Sequence, residues 1–299
     1  MTSAIHDLGY KRYVGTRRPT STRWRVIARQ QLAAAWKSWW RWKLFIVLGL
    51  IVVGAAAFFL FVFADTVIGS LGRAMPLTLE DLALPMTFGF FCSSAFVASL
   101  LIGATIIARD IQSGAFVFYF ARSTRPGDYL LGKLVGYGGV IASVLVLGPT
   151  IVALMRVALT TTHDVGALVS QLELVPEAIG LGLFATLAYT AIPLGFSALV
   201  ANRGYALGLW AAYYVIVGTI AGGAGALGKV GWVAAIDIPT ALHSLANRAF
   251  HLPSIIEQRG VEVPMVAAVA SIAIQSGAAI ALIYWKLSRA QKAGVGGAT

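Results

Sequence analysis

The sequence predicts an all-α integral membrane protein with six transmembrane helices, and three observations predict it. Of 299 residues, 58% are hydrophobic and 12% are charged, against the roughly 25% charged residues of an ordinary soluble domain; mean hydropathy is +0.79. Six apolar segments, residues 44–64, 86–108, 134–155, 178–200, 205–227 and 265–285, reach the ~20 residues a helix needs to cross a bilayer core. Third, Lys and Arg divide unevenly between the connecting segments. Eighteen lie in residues 1–43, between spans two and three, between spans four and five, and after span six; five lie in the remaining loops, together with nine of the twelve acidic residues. Because Lys and Arg collect on the cytoplasmic side, both termini are expected there.

In chain order, residues 1–21 are polar and read as a disordered cytoplasmic tail. Residues 22–43 then place Trp24, Ile27, Ala28, Gln31, Leu32, Ala35, Trp36 and Trp39 at three- and four-residue intervals, with Arg23, Arg25, Arg29, Lys37 and Arg41 mostly on the other side. That spacing predicts an amphipathic helix in the membrane interface, its indoles at headgroup depth and its cations toward anionic lipid. The segment serves either that role or simply anchors the chain beside the membrane. Residues 44–64 follow 43 mostly polar residues, and their apolar run is about twice a signal-peptide core, so they are expected to remain as the first span. The six-span region covers residues 44–285, and 286–299 form a cytoplasmic tail. One cysteine, Cys92, lies in an apolar stretch, which offers neither a disulfide framework nor a thiolate metal site. A net charge of +11 is explained by the loop asymmetry without nucleic acid.

The loop at 108–133 is an island of charge and turn residues that contains Gly127-x-x-x-x-Gly132-Lys133. A phosphate-binding loop requires a preceding strand, a following helix and a Ser or Thr after the lysine to hold magnesium. Leu134 follows instead, and a second partial match, Gly223 to Lys229, ends in Val230. Neither is expected to bind nucleotide. What the loop does offer is a helix over 108–123, with Ile111, Ala115, Phe118 and Tyr119 at intervals of three and four and Phe116 and Phe120 alongside. Aromatic anchors on a helix surface, rimmed here by Arg122 and Arg125, suit docking into a partner's groove. Alternatively they continue the second span or lie flat in the interface.

The stretch from Ile107 to Lys133 resembles the cytoplasmic loop between the second and third spans of ABC-2-type transporter permeases. Asp110 stands where that loop usually has Glu; Gly114 matches, as do Tyr129, Leu130, Leu131, Gly132 and Lys133. Ser123 falls where Pro is usual and Pro126 where Arg is usual, which displaces Arg125 by one position. The family outline also has an N-terminal interfacial elbow helix, six spans and a long outer segment before the last. The resemblance implies a permease subunit of an ATP-driven exporter in a prokaryotic inner membrane. It would pair with a second permease subunit, expected as a homodimer, and with a cytoplasmic ABC ATPase dimer that binds ATP and Mg. Asp110, Ile111, Gly114, Phe116, Phe118, Tyr119, Phe120 and Arg122 would then belong to the coupling helix that docks on the ATPase.

The spans give an independent argument. Ion-driven transporters carry ionisable side chains at mid-membrane, whereas charged residues here sit only at span edges and the four histidines, His6, His163, His243 and His251, fall outside. Energy is therefore expected from a partner, and the chain itself is expected to have no catalytic residues, cofactor or metal. Few charges also favour a hydrophobic or amphipathic cargo. Two rivals remain at this stage: a scaffold or assembly factor that docks a cytoplasmic partner and moves nothing, and an ion-coupled secondary transporter. In the outer segment, 228–264, Pro239 opens a predicted helix with Ile238, Leu242, Leu245, Ala246 and Ala249 on one face. It is read as a gate, with Asp237, Pro239, His243 and Arg248 as candidate residues, or as an amphipathic cover whose charges are solvated. Mildly polar span residues such as Ser99, Ser197, Tyr213, Tyr214 and Gln275 are expected chiefly to tie helices together.

Overall fold

The computed structural model describes residues 22–38, 79–121, 124–159, 165–251 and 261–296, and among them every regular element is helical. Helix α1 spans Arg23–Ser38. Helix α2, Leu79–Ala98, passes through a π turn at Ser99–Gly103 into α3, Ala104–Gln112; α4 is Ala115–Ala121. Next come α5, Pro126–Leu145, α6, Leu147–Leu159, and α7, Val165–Leu199. Helix α8, Arg203–Ala212, continues through a π turn at Tyr213–Val217 into α9, Gly218–Gly228; then follow α10, Gly231–Ala234, α11, Ile238–Ala249, and α12, Met265–Gly296.

Five of these helical runs are long and apolar enough to cross a membrane: Leu84–Gln112, Pro126–Ala158, Gln171–Leu199, Arg203–Gly228 and Met265–Lys292. They contain the second, third, fifth and sixth predicted spans and all but the last residue of the fourth, with helical hydrogen bonding continuing into the polar flanks. The predicted first span at 44–64 and the tail at 1–21 lie outside the described residues.

Breaks within the runs have local causes. Pro149 lacks an N–H and its ring excludes the carbonyl of Leu145, four residues earlier, so the third span bends at Val146, between α5 and α6. The Leu145 carbonyl, which Pro149 leaves without its helical N–H, is accommodated against α7 at Gly182, where a β-carbon would clash with it. The π turn at Ser99–Gly103 inserts one residue into the second span. Just beyond it, Ser197 on α7 accepts from the amides of Ile107 and Ala108 at its Oγ, both at 2.9 Å. Trp210 on α8 donates its indole N–H to Ser99 Oγ at 2.7 Å, and Gly103 leaves room for the Tyr137 ring.

The second π turn brings Tyr213 and Tyr214 into the bundle. Tyr214 stacks on Phe96 with 3.7 Å between ring centroids, and its hydroxyl lies 2.8 Å from that of Tyr189. Tyr213 donates to Gln275 at 2.8 Å, and Gln275 donates in turn to Ser271 and to the Ile236 carbonyl. These are the interhelical ties expected of the mildly polar residues. Ser93, Ser94, Thr105, Ser143 and Thr186 instead bond back to carbonyls of their own helix.

Helix α1 runs along α5 in close contact. Ile27 and Ala28 are buried, so the face carrying Trp24, Ile27, Ala28 and Gln31 meets protein where the sequence alone placed lipid headgroups. Residues 39–43 of the predicted 22–43 helix lie outside the described residues. Gly132 and Gly136 make the approach possible, since a β-carbon would meet Ile27 and the Trp24 carbonyl at the first and the Ala28 carbonyl at the second. The Gly132-Lys133 pair is thus a packing seam, one helical turn from Gly136. Replacing Gly136 with Leu is expected to cost about 1–3 kcal/mol through overpacking and to lift α1 away. The check is a thermal melt of the purified protein together with maleimide labelling of an Ile27→Cys variant, protected in the parent and reactive with Gly136→Leu; continued protection would mean that α1 is not held by this seam.

Candidate functional site

The loop between the second and third spans is shaped by three backbone decisions. Gly114 has φ +66°, a left-handed conformation that glycine adopts without a β-carbon penalty. It ends α3 and starts α4, so the single helix expected over 108–123 is two helices meeting at an angle. Pro126 occupies the first turn of α5, where its missing N–H costs nothing. Consequently the Pro126-Gly127 pair opens a helix, although as a dipeptide it reads as a turn. Asp128 completes this start by accepting the Arg125 amide at 3.3 Å. From Pro126 onward Gly127, Gly132 and Lys133 are all helical, and the chain forms no loop there to cradle a phosphate. The second glycine-lysine match is likewise helical until Lys229, at φ 52°, ends α9.

Helix α4 turns one face outward and one inward. Val117 and Phe118 are 67% and 74% exposed. Phe116 and Tyr119 point the other way, edge-on to the ring of Tyr129, with centroid separations of 5.5 and 5.2 Å. Phe120 lies against Phe116 at 5.8 Å, and Ile111, on α3, packs partly buried against the core. Of the predicted aromatic anchor, then, Phe118 is presented outward while Phe116, Tyr119 and Phe120 seat the helix. Burial, and next the Asp110 carboxylate, push the Tyr119 phenol above its ordinary value. Arg122 lies outside the described residues.

Beneath this seat is a buried polar knot. Tyr129, fully buried, donates to Asp110 Oδ2 at 2.6 Å. Lys133 reaches the same oxygen at 2.8 Å, with side-chain exposures of 7% for Lys133 and 17% for Asp110. Its ammonium also donates to Gln31 Oε1 on α1 at 2.9 Å and lies 5.4 Å from the Tyr129 ring centroid. A charge buried this far needs a counter-charge and hydrogen bonds, and the knot supplies both while joining α1, α3 and α5. Phe116 and Tyr119 thus connect α4 to Tyr129, whose hydroxyl is bonded to Asp110 on α3.

No protein-family model and no curated protein matches this chain. The surface around α4 presents Val117 and Phe118 outward above the Tyr129, Asp110 and Lys133 knot. Sequence reasoning picked out Asp110 and the aromatics but not Gln31, and took Lys133 for part of a loop motif. A signal was present: an acid and a base stand at the facing ends of consecutive apolar segments, where each needs the other.

At the opposite end of the bundle the four candidate gate residues have separate surroundings. Asp237 precedes α11 and is 2% exposed; its Oδ2 accepts from the Thr240 hydroxyl, and its carboxylate lies where a β-carbon on Gly218 would clash. The solvated face expected here does not hold for Asp237. Pro239 opens α11. His243 is partly buried, and burial lowers its pKa, favouring the neutral imidazole. Arg248 pairs with Glu262 at 3.3 Å and donates to the Val263 carbonyl at 3.0 Å. Ile238, Leu242, Leu245 and Ala246 are buried as their spacing predicts, but so are Thr240, Ser244 and Asn247. Helix α11 is thus set into the bundle end, with Ser244 donating to the Val263 carbonyl.

Proposed function

We propose that this protein is the membrane-spanning permease subunit of an ATP-driven exporter of the ABC-2 type. The observation that carries the reading is α4: a short helix that presents Val117 and Phe118 outward and stands on the Tyr129, Asp110 and Lys133 knot. Such a helix combines an aromatic anchor for a groove with a rigid connection to the spans. In this scheme α1 is the elbow helix, α4 is the coupling helix, and both termini and the loop at 108–133 face the cytoplasm. The partners are a cytoplasmic ABC ATPase dimer, which binds ATP and Mg, and a second permease subunit in a homodimer. Closure of the ATPases pushes on α4, and the spans alternate between inward and outward openings. A hydrophobic or amphipathic cargo suits spans whose polar side chains mostly bond to helix carbonyls or to one another, and the segment from α10 to α11 is the gate.

The test is affinity purification of the tagged protein from its native membranes in mild detergent, followed by mass spectrometry and an ATP hydrolysis assay of the eluate. A soluble ATP-binding subunit near one-to-one, with hydrolysis, is the expected result. Recovery of the protein alone, or with partners that are not ATPases, would sink the exporter reading.

A further inference from the structure

Between α1 and the end of the second span the surface opens into a cleft of about 420 Å³, within the roughly 300–1,000 Å³ usual for small-molecule sites. Its lining is two-sided. Leu101, Ile102 and Ile106, on the π turn and α3, face Ile27 and Ala34 on α1 and make one end apolar. Arg109 and Gln30, both exposed, stand at the polar rim, with Asp110 and Lys133 on the floor. The floor pair neutralises itself across 2.8 Å, so the uncompensated formal charge of the lining is that of Arg109. Its guanidinium makes no hydrogen bond or ion pair among the described residues.

A positive rim above an apolar slot, at the end of a membrane span, is complementary to an amphipathic anion. We propose that the cleft holds one anionic phospholipid, its phosphate oxygens accepting from Arg109 and Gln30 and one acyl chain lying along Leu101, Ile102 and Ile106. Guanidinium-phosphate hydrogen bonds are charge-assisted, and basic pockets beside membrane helices recognise anionic headgroups in this way. The bound lipid bridges α1 and the second span, so it reinforces the contact that Gly132 and Gly136 permit between α1 and α5. This inference is independent of the exporter reading, because its readout is lipid binding and involves no ATPase.

The experiment is native mass spectrometry of the full chain in detergent, titrated with dioleoyl phosphatidylglycerol, dioleoyl phosphatidylcholine or inorganic phosphate. One phosphatidylglycerol retained per chain, in preference to phosphatidylcholine, is expected. Arg109→Gln should weaken that binding about fivefold, as expected for one basic side chain beside an anionic headgroup, while Arg248→Gln at the opposite end leaves it unchanged. Ile102→Trp, which fills the acyl half, should also remove it. Equal retention of the two lipids, an Arg109→Gln variant that binds as the parent does, or displacement of the lipid by inorganic phosphate would each overturn the proposal.

Discussion

Asp110→Asn is expected to destabilise the protein by about 3–5 kcal/mol, the cost of stranding a buried charge. Two donors converge on one oxygen of Asp110, the Tyr129 hydroxyl at 2.6 Å and the Lys133 ammonium at 2.8 Å. The asparagine keeps the shape and still offers a carbonyl, but it removes the charge that holds Lys133 in place. What remains for the ammonium is Gln31 Oε1 and the face of Tyr129, neither of which carries a full negative charge. A cation-π contact is worth about 0.5–2 kcal/mol, too little to replace the ion pair. The diagnostic is the double variant: Asp110→Asn with Lys133→Met removes both charges and should recover most of the loss, because apolar replacement of a buried pair is often neutral. Thermal unfolding in one fixed detergent measures all four proteins of the cycle. Additive losses, with no recovery in the double variant, would show that the two side chains act separately and that the knot does not hold the loop.

The sequence made the helical, membrane-embedded class legible because burying backbone polar groups in hydrocarbon leaves few solutions, and a long apolar run read against bilayer thickness selects helices. Five of the six predicted spans coincide with helical runs that long, the fourth to within one residue. Less legible was everything that depends on contacts between segments. Gly132 and Gly136 carry no mark distinguishing a packing seam from a loop until Ile27 and Ala28 are seen against them. The π turns at Ser99–Gly103 and Tyr213–Val217 leave the apolar run unbroken, so periodicity does not report them; nor does it report that Ser197, far along the chain, bonds the amides of Ile107 and Ala108 just beyond the first. In the loop, the spacing of Ile111, Ala115, Phe118 and Tyr119 suits one helix, and the φ of +66° at Gly114 redirects it. That single rotation decides which aromatics seat α4 and which one faces outward.

Under the proposed exporter function, Phe118→Asp is expected to abolish association with the partner ATPase while leaving the fold intact. The side chain is 74% exposed, so its replacement removes little buried surface and strands no polar group; surface changes of this kind usually shift stability by less than about 0.5 kcal/mol. In a docked complex the same position is different. An aromatic anchor in a desolvated groove contributes about 2 kcal/mol or more on truncation, roughly a thirtyfold loss of affinity, and a carboxylate placed there adds the cost of burying an unpaired charge. Phe116→Ala provides the contrast, because Phe116 sits edge-on to Tyr129 at 5.5 Å. Its removal should lower the melting temperature and weaken association together. Co-purified ATPase per permease, measured beside the thermal melt for each variant, separates the two effects. If Phe118→Asp retains its ATPase, the exposed face of α4 is not the docking surface, and Phe118 meets the headgroup region instead. If it loses the ATPase and the fold together, the outward position is structural after all. Loss of the ATPase with an unchanged melt is the result expected if the outward face of α4 is the docking surface.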